Sequence, residues 1–146
     1  MQSSVSQKKI DLTIVIPLYN EVESLPELHQ KITDVLKKEN FTYEILFIDD
    51  GSRDGSFEVL EKLHEKDKHV RVIQFRKNFG KAAALDCGFR ESRGEIVITM
   101  DADLQDDPEE IPNLTAKINE GYDLVSGWKK NATILLSNAI LLKSII

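Results

Sequence analysis

The 146-residue chain carries a single cysteine, Cys87, so no disulfide can brace it internally. With no secretory leader at its amino end, it reads as a protein of a reducing compartment. Cys87 falls within an alanine-rich helical pattern, where a small buried thiol is the simplest reading. The three histidines, His29, His64 and His69, do not fall at zinc-ligand spacing. Ser52, Ser92 and Ser126 stand outside any G-x-S-x-G elbow, which argues against acyl transfer. Both GxxxxGK[ST] and GxGxxG are missing, so a bound nucleotide would be held neither by an ATPase-type phosphate loop nor by a dinucleotide fingerprint. There is no basic excess: 19 Lys plus Arg against 25 Asp plus Glu leave a net charge of −6, which argues against a nucleic-acid partner. A long apolar run is missing too. The stretch ATILLSNAILLKSII at 132–146 is interrupted by Asn138 and Lys143. A helix over 133–146 would reach roughly 21 Å against a hydrocarbon core of about 30 Å, too short to cross a bilayer. It is expected to pack on the domain or lie in a membrane interface, and because Leu135, Ile140 and Leu142 form no clean single face the amphipathic membrane reading is the weaker.

What the chain does have is a regular alternation of apolar strands and amphipathic helices. Leu12–Ile16 reads as a first strand, broken by Pro17 and the polar Asn20-Glu21 pair. Leu25, Leu28, Ile32, Val35 and Leu36 then recur at helical spacing between about Ser24 and Glu39. A strand over Glu44–Ile48 precedes a short helix from about Ser56 to Glu65 that buries Phe57, Leu60 and Leu63. Val70–Phe75 is a third strand, followed by a helix carrying Ala82, Leu85 and Phe89. The run IVITM at 96–100 is a fourth strand, Pro108 with Ile111, Leu114 and Ile118 opens a helix ending near Gly121, and Leu124-Val125 starts a fifth strand. Such units predict an α/β, Rossmann-like domain with a mostly parallel sheet and helices on both faces. A chain of this length buries about two thirds of its unfolded surface, enough for one core, and nothing internal marks a second domain.

In open α/β sheets ligands bind beyond the carboxyl ends of the strands, and the unusual polar motifs all fall there: Pro17 to Glu21, Asp49 to Ser52, Arg76 to Lys81, and Asp101 to Gln105. Alternation puts Asp101 and Asp103 on one side of the extended chain, where oxygen ligands suit Mg²⁺ or Mn²⁺. The same carboxylates also suit a solvated acidic turn before the helix at Pro108-Glu109-Glu110. Asp49 and Asp50 can accept hydrogen bonds from a base or ribose, or form an Asx-turn beside Gly51 and Ser52, and the two roles are compatible. Arg76 and Lys81 flank Gly80 just before a helix, an arrangement suited to a diphosphate. Arg76, directly after a strand, is the stronger candidate, because a solvated side chain is the simpler reading of Lys81 alone.

Taken in order, VIPLYNE at 15–21, FIDDGSRDGS at 47–56, RKNFGKAAALDCGF at 76–89 and TMDADLQDDPEEIP at 99–112 closely resemble the inverting glycosyltransferases of family 2. Within that family the likeness is to polyprenyl-phosphate sugar transferases, the group of dolichol-phosphate mannose synthase and bacterial bactoprenol glucosyltransferases. It covers about residues 10–129. The resemblance implies a GT-A nucleotide-diphospho-sugar fold and a nucleotide site formed by Pro17, Tyr19, Glu21 and Asp50, with Asp50 at the uracil or guanine base. It further implies Asp101 at the ribose or pyrophosphate, Asp103 and Gln105 as ligands of Mg²⁺ or Mn²⁺, and Arg76 and Lys81 near the donor phosphates. Asp101, Asp103 and Arg76 are the groups it would bring to catalysis. The implied reaction moves a sugar from a UDP-sugar, or less readily a GDP-sugar, to a polyprenyl phosphate at the cytoplasmic side of a membrane.

The chain then divides into a flexible amino end at 1–9, a nucleotide-sugar-binding domain at 10–130 and a divergent apolar tail at 131–146. Past Trp128 the family continues with basic residues resembling a lipid-phosphate site and with membrane helices, whereas here Lys129-Lys130-Asn131 runs into the tail. That departure reads as a truncated or altered form of a longer protein. It leaves two alternatives to an active transferase open: a fragment that binds nucleotide sugar without turnover, and a partner-binding piece of a membrane assembly.

Overall fold

A computed structural model describes residues 9–126 and 140–143. Six strands form one sheet in the order β3-β2-β1-β4-β6-β5, where β1 is Ile10–Leu18, β2 Tyr43–Asp49, β3 Val70–Gln74, β4 Gly94–Thr99, β5 Leu124–Ser126 and β6 Ile140–Lys143. The strands β1 to β4 pair in parallel, and β6 runs antiparallel between β4 and β5. Helices α1 (Leu25–Lys38), α2 (Ser56–Lys66), α3 (Lys81–Glu91) and α4 (Ile111–Asn119) connect them, α4 entered through a single 3₁₀ turn at Pro108–Glu110.

Strand alternation sorts the core into two layers. Leu12, Ile14 and Ile16 of β1, Ile45 and Phe47 of β2, and Ile96 and Ile98 of β4 face α1, α2 and α4; Leu25, Leu28, Ile32 and Leu36 of α1 complete that layer, fully buried. Each such side chain contributes roughly 1.5–3 kcal/mol by leaving water. Val15, Leu46, Ile48 and Val97 point the other way, onto Ala84 and its neighbours Leu85, Cys87 and Phe89 of α3. The helix comes close because Gly88 has no side chain: a Cβ there would stand 2.3 Å from Val15 Cγ1. Helices therefore cover both faces of a mostly parallel sheet, the α/β architecture expected from the strand and helix pattern.

Two local expectations are corrected. Pro17 does not end β1, which continues to Leu18 in register with Asp49. Val15 O accepts from Met100 N on the β4 side and Leu18 O accepts from Asp50 N on the β2 side, so the N–H that proline lacks would point toward β4, past the last β1–β4 pair at Val15 and Thr99. No ladder bond is lost. Nor is the apolar tail a continuous helix, because Ile140–Lys143 pairs with β4 and β5 as β6. Asn138 and the rest of the tail, residues 1–8, Trp128 and the Lys129-Lys130-Asn131 stretch lie outside the described residues. Among the described residues no helix is long and apolar enough to cross a membrane.

The three histidines gather at the amino end of β3, far along the strands from the acidic motifs. Asp67 accepts from His29 Nε2 and from His69 Nδ1, both at 2.8 Å, and His64 Nδ1 lies 2.6 Å from Val70 O. The Asp67 carboxyl is lowered to about 2: burial pushes it up, but the His69 N–H and the two imidazoles outweigh that.

Candidate functional site

The loops that follow β1, β2, β3 and β4 meet at one edge of the sheet and enclose a cavity of about 400 Å³. Pro17 and Leu18 end β1, with Tyr19 and Glu21 in the loop beyond; Asp50 follows β2, Asn78 and Gly80 lie in the third loop with Lys81 and Ala84 of α3, and Asp101, Ala102 and Asp103 follow β4. Seven of the residues singled out in the sequence (Pro17, Tyr19, Glu21, Asp50, Lys81, Asp101 and Asp103) thus line one space. Arg76, Gln105 and Asp49 are not among its lining residues; Asp49 is buried and accepts from Ser52 N at 2.9 Å. Arg76 is exposed on the β3–α3 loop. Leu104 takes the left-handed conformation at φ 66°, and the chain turns there, so that Gln105 lines a second concavity with Asp106, Asp107 and Lys31.

The loops are tied to one another by side-chain-to-backbone bonds that sequence reasoning did not anticipate. Asp50, almost wholly buried, accepts from Phe79 N at 2.8 Å and Gly80 N at 3.0 Å, which fixes the third loop against the second. Two of the carboxylate's four lone-pair sites are used, and the others remain for a ligand. Gly51 allows the approach: it sits at φ 79°, and a Cβ would be 2.6 Å from the Lys77 carbonyl carbon. Asn20, in the left-handed region at φ 55°, donates its N–H to Ser52 Oγ and accepts from Arg53 N. Ser24 Oγ donates to Ala102 O at 2.6 Å, joining the start of α1 to the Asp101–Asp103 segment. Asparagine's tolerance of positive φ was a usable signal for Asn20; the partners of Asp50 and Ser24 are remote in sequence and carried none.

Electrostatically the cavity is one-sided. Four carboxylates (Glu21, Asp50, Asp101 and Asp103) and one ammonium, Lys81, are among its lining residues. The Glu21 carboxyl is pushed above its ordinary value, first by burial and then by the charges of Asp103, Asp54 and Asp101, with Ser24 opposing. Asp101 donates its N–H to Asp106 Oδ2 at 2.7 Å and pairs through Oδ1 with Lys81 Nζ at 2.6 Å. Asp103 accepts from Gln105 N at 3.1 Å. The clustering of these carboxylate oxygens, whose charges add to burial in raising the Glu21 carboxyl, suits a hard divalent cation. Among the described residues no three His, Cys, Asp or Glu side chains are gathered so as to hold an ion by themselves. A cation here would be completed by water and by the diphosphate, as Mg²⁺ commonly is.

Comparison with known proteins decides the family. The profile described as Glycosyl transferase family 2 matches residues 13–133. The chain belongs to glycosyltransferase family 2. Among curated relatives of this family 2 chain, the undecaprenyl-phosphate 4-deoxy-4-formamido-L-arabinose transferase of Salmonella choleraesuis is 46% identical over 121 residues, 82% of this chain and 37% of the relative. The protein of the same description from Pseudomonas fluorescens is also 46% identical, with 36% of its length covered. The family 2 chain thus spans little more than a third of these relatives. Among solved structures, the Pyrobaculum calidifontis mannosyltransferase PcManGT in complex with GDP-Man and Mn²⁺ is 25% identical with a TM-score of 0.55, covering 66% of this chain and 28% of that one. S. aureus TarS 1-349, at 20% identity and a TM-score of 0.67, covers 92% and 47% and shares the fold.

Proposed function

We propose that this family 2 chain supplies the donor-binding half of an inverting glycosyltransferase that passes a sugar from a nucleotide diphosphate to a polyprenyl phosphate. The observation that carries the reading is the meeting of Glu21, Asp50, Lys81, Asp101 and Asp103 in one cavity at the carboxyl edge of the sheet. The relatives named for undecaprenyl-phosphate transfer support the acceptor class. A UDP-sugar is favoured as donor, on the resemblance to bacterial transferases, with a GDP-sugar as the other choice.

In this reading Tyr19 and Asp50 receive the base, Asp101 the ribose or pyrophosphate, and Lys81 with Arg76 the donor phosphates. Asp103 holds Mg²⁺ or Mn²⁺, and Glu21 faces the same centre. The Mn²⁺ in the complex of the Pyrobaculum mannosyltransferase supports divalent-cation use. The cation, when bound, offsets the charge that develops on the leaving diphosphate. Lys81 adds a second positive group on the same side. A phosphate monoester acceptor is already ionised at neutral pH, so its oxygen attacks the anomeric carbon without a strong general base, and the nucleoside diphosphate leaves from the opposite face. The acceptor lies in a membrane, so the cavity edge would work beside a lipid surface, at the cytoplasmic side.

Transfer of radiolabelled sugar from UDP-glucose and other donors to undecaprenyl phosphate tests this, with the 146-residue chain and a version extended to the length of the relatives run side by side. Transfer by either supports the proposal. Nucleotide binding with transfer by the extended form alone identifies the shorter chain as a donor-binding module. Binding with transfer by neither overturns the acceptor class.

A further inference from the structure

Lys81 opens α3, and its backbone is placed by the neighbouring Phe79 and Gly80 N–H groups on Asp50. From there its side chain reaches Asp101, with Nζ 2.6 Å from Oδ1. The two partners are unequal: the Lys81 side chain is 58% exposed, the Asp101 side chain 21%. The ammonium can leave for another anion at little desolvation cost, whereas Asp101 is held by its own N–H on Asp106. Among the described residues lining the cavity Lys81 is the one cation, and it sits on one of the four carboxylates there.

From this geometry we infer that Lys81 competes with the divalent cation for Asp101 and is drawn off by the donor diphosphate, so that metal and nucleotide bind as a coupled pair. The inference rests on the donor-site reading above, adds Asp101 to Asp103 among the carboxylates that face the ion, and assigns Lys81 a positioning role. Metal arriving alone meets an Asp101 already neutralised by the ammonium. A diphosphate arriving with the metal gives Lys81 a better partner, with several oxygens and more charge, and frees Asp101 toward the ion. Removing the ammonium therefore has two effects of opposite sign: tighter binding of metal alone and weaker binding of the nucleotide with metal. A lysine that merely supported the fold would weaken both.

The test is Mn²⁺ binding to the nucleotide-free protein, followed by the paramagnetic resonance signal of free Mn²⁺, together with UDP binding in saturating Mn²⁺ by calorimetry. Wild type, Lys81→Met and Lys81→Arg are compared; Lys81 is exposed, and the circular dichroism of the variants checks that they fold. Lys81→Met is expected to bind Mn²⁺ alone about fivefold more tightly, the equivalent of ~1 kcal/mol at 1.4 kcal/mol per decade and the upper range for a solvent-exposed pair. It is also expected to bind UDP with Mn²⁺ at least fivefold more weakly, and Lys81→Arg to restore wild-type behaviour in both. Unchanged or weaker Mn²⁺ binding by Lys81→Met overturns the competition, even where UDP affinity falls. Failure of the wild type to bind UDP with Mn²⁺ overturns the donor-site reading itself, an outcome distinguishable because it needs no variant.

Discussion

Replacing Asp50 by alanine removes the acceptor of two backbone N–H groups, those of Phe79 at 2.8 Å and Gly80 at 3.0 Å. The carboxylate is only 4% exposed, so little water is at hand to take its place. Hydrogen bonds to a charged group contribute roughly 1.5–3 kcal/mol each, and the loop relaxes after the change, which puts the expected loss at about 2–4 kcal/mol. With a urea dependence of about 2 kcal/mol per molar, the unfolding midpoint should fall by roughly 1–2 M. Amide hydrogen exchange at Phe79 and Gly80 should accelerate in the same variant under native conditions. Asp50→Asn keeps one acceptor and turns an amide N–H toward the other donor, so it should fall between wild type and alanine. If Asp50 served only as a contact for a nucleobase, ligand binding would weaken while the midpoint stayed put. A midpoint change equivalent to less than about 0.5 kcal/mol in Asp50→Ala, with exchange at Phe79 and Gly80 unaltered, would refute the loop-fixing role.

Other perturbations reach further into the fold. Gly88→Ala drives a methyl group to 2.3 Å from Val15 Cγ1 and should cost about 1–3 kcal/mol by thermal or urea unfolding, whereas Ala83→Gly on the same helix should cost only about 1 kcal/mol through backbone propensity. The Asp67 carboxyl titrates lower folded, at about 2, than at its ordinary 3.8, so its contribution is fully present above pH 4 and is lost as the pH falls from there through 2. That difference is worth about 2 kcal/mol; Asp67→Asn should flatten the stability profile across this window, and an equally steep profile in the variant would count against the His29–Asp67–His69 arrangement.

The parts of the molecule that local pattern controls were legible in the sequence. The apolar stripe of Leu25, Leu28, Ile32 and Leu36 locates α1 because a helix must bury one face, and it lies within Leu25–Lys38 as built. Asp101 and Asp103 come to the edge of the cavity because an apolar strand ends just before them. What escaped was set by neighbours distant in the chain. Pro17 looks like a strand breaker until the β4 ladder is seen to stop at Val15. Ile140–Lys143 could not be read as a strand, because its pairing with β4 and β5 overrides a segment with no period-two alternation. Gln105 was placed beside Asp103 by the family resemblance, and the turn at Leu104, whose positive φ no residue type advertises, has it line a neighbouring concavity.

The central claim is that the carboxyl-edge cavity of this family 2 chain holds a nucleotide diphosphate through a divalent cation at Asp103. Calorimetric titration of UDP into the wild type and Asp103→Ala, each in Mn²⁺ and in EDTA, tests it most directly. Saturable binding by the wild type in Mn²⁺, falling at least tenfold in EDTA and to the same degree in Asp103→Ala, is the expected result. Equal affinity in Mn²⁺ and EDTA, or an Asp103→Ala variant that binds as tightly as the wild type, would contradict it.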